Sequence, residues 1–216
     1  MSHEPATDCA LCPRLAEFRL ANSSANPTWH NRPVQSFGDL DARLLIVGLA
    51  PGLKGANATG RPFTGDFAGD LLYATLLDTG FARGLYGAKR NDGLELIDTR
   101  ITNAVRCVPP KNLPLGTEVR KCCAFLKAEI ACLSQLECIL TLGTISHNST
   151  LRALDIRPKD APFGHGATFN YGNGILILSS YHCSRLNTNT GRLTSEMFRD
   201  VFITARHHLH RSSAGL

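Results

Sequence analysis

Four short strand-like segments, most of them apolar, constrain the fold of this chain more than any other feature of its sequence. They occupy residues 44–47, 101–107, 138–143 and 175–178. Runs of this length and composition are typical of strands that are buried on both faces of a sheet. Segments with a helical pattern lie at 14–21, 67–80, 117–133, 144–154 and 194–208. Strands that alternate with helices form a parallel sheet with helices on both faces, so we predict an α/β fold.

The loop that follows the first apolar run, residues 48–66, is the strongest candidate for a functional site. Five glycines interrupt it before the helix that is predicted to begin at Phe67. Open α/β sheets bind ligands at the carboxyl ends of their strands, so the corresponding loops should meet at one edge of the sheet. The loop lacks the lysine and hydroxyl pattern of a P-loop. The alternative is a flexible connection, although a loop this long inside a compact domain is usually functional.

Composition limits the number of domains and the class of partner. A chain of 216 residues with 43% apolar residues fits a single domain, residues 1–216. Its apolar runs are too short to cross a bilayer, and its first residues lack the basic and apolar regions of a signal peptide, so we expect a cytoplasmic protein. The net charge of +5 favours a polyanionic partner only mildly, because many enzymes are equally basic.

The eight cysteines indicate a metal site. In a reducing compartment, thiols and metal ligands are more common than disulfides. Cys9 and Cys12 form a C-x2-C pair, Cys107 ends the second predicted strand, and Cys122 follows after fourteen intervening residues. Four thiolates in this arrangement could hold zinc or a 4Fe-4S cluster, and their spacing does not distinguish the two.

The remaining cysteines carry weaker predictions. Cys123, next to Cys122, is a rival for the fourth ligand, with a core position as its alternative role. Cys132 and Cys138 fall in apolar helix and strand contexts, so we predict that both are small buried hydrophobic residues.

Three separated motifs give the chain a family resemblance. They are GLAPGLKGANATGRPFTGDFAG at 48–69, TNAVRCVPP at 102–110, and YHCSR with NTNTGRLT at 181–185 and 187–194. Together with the cysteine pattern they resemble the family 5 (type b) uracil-DNA glycosylases, and the likeness extends from Cys9 to the last helix. The resemblance implies a three-layer α/β/α sandwich around a short, mainly parallel central sheet, and a 4Fe-4S cluster rather than zinc.

The same resemblance implies a function in base excision repair. The enzyme would remove uracil, and other deaminated bases such as hypoxanthine and xanthine, from double-stranded DNA. We expect it to act as a monomer in the cytoplasm of a prokaryotic cell, in association with the nucleoid.

Two positions depart from the family pattern. Cys183 stands where the family has a proline after the motif histidine. The dipeptide Cys122-Cys123 leaves two choices for the fourth ligand, and the alignment of Phe125-Leu126 with the family's C-x-x-F-L pattern favours Cys122.

Four residues of the motifs are candidates for base recognition and catalysis. Phe63 is similar to the family's stacking aromatic residue, with a core phenylalanine as the alternative. Asn103 has a donor and an acceptor that match the edge of uracil, although a buried structural asparagine is a competing interpretation. Asp66 could stabilise positive charge on the sugar and activate water, or simply cap the next helix. His182 could stabilise negative charge on the departing base.

Further residues are assigned to substrate and DNA contacts. Gly48, Leu49 and Ala50 place no polar side chain where many families of this fold have one, which is compatible with a roomy pocket. Weaker candidates for site or backbone contacts are Asn57, Arg106, Lys111 and Arg192, and Arg185 and Leu186 are expected to enter the vacated base stack or contact phosphate.

Two other classes of function remain open at this point. The first is a catalytically silent iron-sulfur protein that binds DNA or senses redox state. The second is a nucleotide-binding oxidoreductase, which is disfavoured because no G-x-G-x-x-G follows the first strand.

Overall fold

The computed structural model describes residues 2–172 and 174–213. Its helices and strands are, in chain order, α1 (Pro13–Ala25), β1 (Leu44–Gly48), α2 (Ala56–Thr59), α3 (Phe67–Asp78), β2 (Ala82–Arg83), β3 (Glu95–Leu96), β4 (Thr99–Asn103), α4 (Gly116–Cys132), β5 (Cys138–Leu142), α5 (Thr144–Ala153), β6 (Thr168–Tyr171), β7 (Ile175–Ser180), α6 (Arg185–Asn189) and α7 (Ser195–Ser213). Among the described residues, none of these helices is both long and apolar enough to cross a membrane.

Five strands form the central sheet in the order β4-β1-β5-β7-β6. The pairs β1/β4, β1/β5 and β5/β7 are parallel, as the apolar runs predict, and β6 pairs with β7 in the antiparallel direction. The strand β6 was not predicted, because its four residues are half-buried or exposed and form no apolar run. The short strands β2 and β3 form a separate antiparallel pair.

Helices cover both faces of this sheet. In β1, Leu44 and Ile46 point toward a core that includes residues of α3 and α7, whereas Leu45 and Val47 point toward residues of α4 and α5. Alternation along the strand therefore fills two separate cores. The result is the predicted three-layer α/β/α arrangement around a mainly parallel sheet.

Most predicted boundaries hold to within a few residues, with two differences. The second strand ends at Asn103 rather than at residue 107, because Ala104 and Val105 donate to carbonyls of Gly48 and Leu49 and lead the chain away from the sheet. The last helix continues to Ser213, so it includes the first half of a tail that was predicted to be frayed. The rest of that tail, residues 214–216, lies outside the described residues.

A buried ion network joins β4 to α4. Glu129 accepts hydrogen bonds from Arg100 Nε at 2.7 Å and from Arg106 Nη2 at 2.5 Å. Arg106 also donates to Glu4 at 3.0 Å and to Ser36 at 2.7 Å. The side chains of Arg106 and Glu129 are 1% and 0% exposed, so Arg106 is not available as the DNA contact that its position in the motif suggested.

We expect Glu129→Gln to destabilise the fold strongly, because the buried guanidinium groups of Arg100 and Arg106 lose the fully buried one of the two carboxylates that they share and keep only Glu4. The expected decrease in the free energy of unfolding is about 3 to 5 kcal/mol, measured by urea denaturation. The matched control is Glu95→Gln, which removes an exposed ion pair with Arg83 and should have little effect. Equal decreases in the free energy of unfolding of the two variants would show that the buried network stabilises the fold no more than an exposed ion pair does.

Candidate functional site

A cavity of about 340 Å³ opens where the loops after β1, β4 and β7 meet. This confirms that the loops gather at one edge of the sheet. The cavity brings together six of the side chains or loop positions that sequence motifs suggested, namely Leu49, Ala50, Phe63, Asp66, Asn103 and His182.

Two of these side chains pack on the backbone of Gly48. A Cβ atom at Gly48 would lie 2.4 Å from Oδ1 of Asn103 and 2.5 Å from the ring of Phe63, so only glycine leaves room for both. Asn103 is buried, and its Oδ1 has no hydrogen-bond partner among the described residues. An unpaired buried acceptor costs roughly 1 to 3 kcal/mol, so this oxygen is poised to accept an N–H from a ligand.

Phe63 adopts an unusual backbone conformation. Its φ is 53°, in the left-handed region that bulky residues rarely occupy. Such strain occurs mainly at functional sites, where the surrounding structure enforces it. The ring of Phe63 lies 6.2 Å from that of His182, with an angle of 29° between the ring planes. The backbone therefore presents this ring at the cavity in a single orientation.

Asp66 both caps a helix and faces the cavity. One carboxylate oxygen, Oδ1, accepts a hydrogen bond from the N–H of Gly69 at 3.0 Å and so caps α3. The other, Oδ2, packs against the turn before α2, where a Cβ atom at Gly55 would lie only 2.4 Å away. Burial raises the pKa of Asp66, and the hydrogen bond from Gly69 partly opposes that increase. The two interpretations of Asp66 are thus compatible, because each uses a different oxygen.

His182 is neutral at physiological pH. Burial lowers the pKa of its imidazole to about 4. Its backbone carbonyl accepts a hydrogen bond from Nδ2 of Asn187 at 2.8 Å, which holds the loop after β7. The next residue, Cys183, is buried, and its thiol faces the carbonyl of Ala68 at 3.5 Å. The thiol at this departure from the family pattern therefore packs the loop after β7 against the start of α3.

The three residues assigned to DNA contact lie close to His182 along the chain. Leu186 is 72% exposed in the short helix α6. The guanidinium of Arg185 lies 5.2 Å from the centre of the Phe67 ring, and that of Arg192 lies 4.6 Å from the centre of the Tyr181 ring. This segment therefore presents an apolar side chain flanked by two cations beside the cavity.

The lining of the cavity differs in part from the predicted set of contacts, since Gly48 and Asn57 are not among the residues that line it. Asn57 is fully buried and donates from Nδ2 to Oδ1 of Asn31 at 3.0 Å. Asn112 and Ser184 line the cavity instead. Asn112 follows Lys111, and both have a φ of 56°. An asparagine in a proline-rich loop is a signal for left-handed backbone, and it was the only sequence signal for this position.

The four cysteines proposed as ligands share a second, smaller cavity. Cys9, Cys12, Cys107 and Cys122 line an almost wholly apolar void of about 20 Å³. The N–H of Arg106 donates to Sγ of Cys122 at 3.3 Å. Within residues 2–172 and 174–213, however, no three Cys, His, Asp or Glu side chains form a group that could hold a metal ion.

The other cysteines lie elsewhere. The thiol of Cys123 lies 3.7 Å from the carbonyl of Ser149 and belongs to the core between the sheet and α4. Cys138 is buried, as predicted, but the prediction for Cys132 is wrong. Cys132 is exposed because it lies on the side of the last turn of α4 that faces away from the core, whereas the adjacent Leu133 packs into the core.

Comparisons with known proteins agree with the geometry. Residues 35–206 match the model of the uracil DNA glycosylase superfamily. The chain is 42% identical over 206 residues to the type-5 uracil-DNA glycosylase of Thermus thermophilus, covering 93% of each protein. It is 39% identical over 201 residues to that of Pyrobaculum aerophilum, covering 90% of this chain and 86% of the relative. A type-4 uracil-DNA glycosylase of the same archaeon is 33% identical over 158 residues, or 73% of this chain.

We expect the half-buried imidazole of His182 to make folding less favourable in acid. Its ordinary pKa of 6.5 applies to the unfolded chain, which therefore binds the proton first as the pH falls. Stability is retained above the unfolded pKa and is lost progressively toward the folded pKa. Between about pH 7.5 and about pH 4.5, His182 should account for a loss of roughly 2 to 3 kcal/mol.

Urea denaturation of the wild type and of His182→Gln at the two pH values measures this loss. The variant should show a smaller decrease in stability on acidification. His207→Gln, which alters an exposed histidine, is the control and should behave as the wild type does. The same pH dependence in His182→Gln and the wild type would contradict a neutral imidazole.

Proposed function

The chain belongs to the uracil DNA glycosylase superfamily, and we propose that its cavity binds an extruded uracil and positions it for hydrolysis of the N-glycosidic bond. The chain acts as a uracil-DNA glycosylase, a hydrolase of DNA repair. The observation that carries the assignment of the cavity is the unpaired Oδ1 of Asn103, buried beside the ring of Phe63. Enzymes that act on a base rotate it out of the duplex into such a pocket, and read it by stacking and by hydrogen bonds to its edge.

Base recognition follows from these two side chains. Oδ1 of Asn103 accepts the ring N–H of uracil, which removes the cost of the unpaired buried oxygen. Phe63 contacts one face of the base. Cytosine has no N–H at the corresponding ring position, so the same acceptor discriminates against it. Asn57 lies behind the loop, where its bond to Asn31 supports a positioning role.

Catalysis requires charge stabilisation on both sides of the breaking bond. The sugar develops positive charge, and the carboxylate of Asp66 stabilises that charge and orients or deprotonates the attacking water. The departing base develops negative charge, and the neutral imidazole of His182 donates an N–H to it. The low pKa of His182 supports this role, because it keeps the imidazole neutral and avoids a competing cation in the buried site.

The wall formed by Leu49 and Ala50 supports a broader range of bases. Neither side chain can reject a larger ring through a polar contact, so we include hypoxanthine and xanthine among the substrates. Double-stranded DNA is the proposed form of the substrate, because Leu186 is exposed where it can fill the space that the extruded base leaves. Arg185 and Arg192 lie beside it and would contact phosphate. We also propose action on chromosomal DNA in the cytoplasm, and a monomeric state stays a prediction.

Asp66→Asn should reduce excision of uracil from a duplex by about 10²- to 10⁴-fold while DNA binding persists. Asparagine also caps helices well, so α3 should remain intact. Cleavage of the abasic product with alkali, resolved on a gel, measures excision, and the same assay with hypoxanthine or xanthine measures the range of bases. The control is Asp70→Asn, which removes the same charge from an exposed position in the first turn of α3. Full activity of Asp66→Asn would exclude the role of Asp66.

We further propose that Cys9, Cys12, Cys107 and Cys122 hold a 4Fe-4S cluster. The donor set supports this, because four thiols face one small apolar void and Cys122 Sγ accepts a backbone N–H, as cluster sulfurs commonly do. Four cysteines are the usual ligand set of a 4Fe-4S cluster, so these four thiols would be its ligands. Hydrolysis needs no electron transfer, so the cluster would hold the N-terminal segment and the loop after β4 together.

The purified protein should be brown and contain ~4 iron atoms per chain. Cys122→Ala should lose the iron and the visible absorbance, whereas Cys123→Ala should retain both, because Cys123 faces the core beside Ser149. The two variants change the same side chain at adjacent positions and so control for each other. Stoichiometric zinc without visible absorbance would exclude the cluster. Loss of iron in Cys123→Ala but not in Cys122→Ala would identify Cys123 as the fourth ligand in place of Cys122.

The alternative of a catalytically silent iron-sulfur DNA-binding or redox-sensing protein is not favoured. The relatives carry the names of active glycosylases, and this chain keeps a carboxylate, an imidazole and an unpaired amide oxygen around one cavity. A silent protein would bind damaged and undamaged duplexes alike and leave both uncleaved after alkali.

A further inference from the structure

We call the cavity of about 340 Å³ around Asn103 and Phe63 the base pocket. A basic groove lies near it and has no role in the function described so far. Two adjoining cavities, of about 450 Å³ and about 390 Å³, share Thr7, Trp29, His30 and Arg32. We call the continuous depression that they form the basic groove. It is larger than the base pocket, and its walls come from the N-terminal segment, α1, the loop after α1 and the segment before β3.

The positive charge of the groove is not neutralised by the protein. Arg32 and Arg90 line it, are exposed, and have no carboxylate partner in the described part of the chain. Arg19 is 6% exposed, and its Nη atoms donate to backbone carbonyls at 3.1 Å and 2.6 Å. Its Nε is buried without an acceptor. Asp8 is the one carboxylate among the residues that line the groove, so three guanidinium groups face one negative charge.

An aromatic side chain lies among these cations. Trp29 is half-buried and lines both of the adjoining cavities, so part of its ring faces the groove. A positively charged groove with an aromatic platform is the arrangement that proteins use to follow a nucleic-acid strand, because cations contact phosphates and the ring contacts a base or sugar. An acidic peptide would need the cations but not the aromatic face, so the groove fits a nucleic-acid strand better.

Hydrogen bonds join the groove to the base pocket across the single turn of α2. The N–H groups of His30 and Asn31 donate to the carbonyls of Ala58 and Asn57 at 3.0 Å and 3.1 Å. Ala56, at the other end of the same turn, lines the base pocket. One helical turn, with a rise of about 5 Å along its axis, therefore connects a wall of the cavity to a wall of the groove.

We propose that the basic groove binds the phosphate backbone of the DNA strand on one side of the extruded nucleotide, with Trp29 against a base or sugar of that flank. This inference rests on the proposed function, because it takes DNA as the ligand. It identifies Arg32 and Arg90 as phosphate contacts and gives the loop after α1 a role in holding the substrate.

Trp29 provides a direct test, because it is the single tryptophan of the chain. Titration with an undamaged duplex and with a uracil-containing duplex should change its fluorescence in both cases, since the groove contacts backbone. The double variant Arg32→Gln/Arg90→Gln should bind the undamaged duplex more weakly, and the slope of log K against log salt should fall by about one per arginine. Unchanged emission together with an unchanged salt slope would overturn the proposal and leave the groove to another partner, such as an acidic peptide.

The control is Arg152→Gln/Arg157→Gln, which removes two exposed arginines of the α5 region and should keep the wild-type slope. Duplexes that are shortened on one side of the uracil or on the other show whether the groove contacts DNA on the 5′ or the 3′ side of the extruded nucleotide. The effect of Arg32→Gln/Arg90→Gln should disappear on shortening one side only, and an effect that persists after shortening both sides would overturn the placement. None of these measurements requires excision. A protein that does not excise uracil but still binds DNA through the groove would therefore contradict the proposed function and leave the proposal for the groove intact.

Discussion

The arrangement of both sites depends on the buried ion network around Glu129. Its carboxylate binds Arg100 within β4 and Arg106 just beyond that strand, so the chain leaves the sheet along a fixed path. That path places Asn103 at the base pocket and Cys107 at the cysteine cavity. A buried ion pair adds little net stability compared with apolar packing, but it allows few alternative arrangements of the segment. The network is therefore best understood as a device for alignment.

Close packing against glycine backbone is the second constraint on the base pocket. The side chains of Asn103 and Phe63 occupy the space that a Cβ of Gly48 would need, and Asp66 does the same at Gly55. The loop after β1 therefore requires glycine at these two positions, because other side chains occupy the space where a Cβ would lie. This explains why the loop contains so many glycines, although a flexible connection would have a similar composition. Composition alone cannot distinguish a flexible connection from a closely packed loop, because the two differ in which atoms contact the Cα of each glycine.

The four parallel strands of the central sheet could be predicted from the sequence, since burial on both faces leaves a mainly apolar segment. Half-exposed β6 left none, and the short helix α2 was hidden within the loop. At the site, the motifs identified several of the residues that line the pocket, but they did not show that the helix cap of Asp66 uses only Oδ1 while Oδ2 packs against the turn before α2. No sequence motif indicated the groove around Trp29, because Arg90 lies far along the chain from Arg19 and Arg32 and only folding brings the three together.

The left-handed backbone at Phe63 has a consequence for how damage is found. The ring of Phe63 already packs on Gly48 at the wall of the cavity before any ligand is bound. In the function proposed above, the cavity therefore contacts a base only after the base has left the duplex. Bases in weak or mismatched pairs leave the stack at lower cost, so the stability of a base pair would contribute to the selectivity of excision.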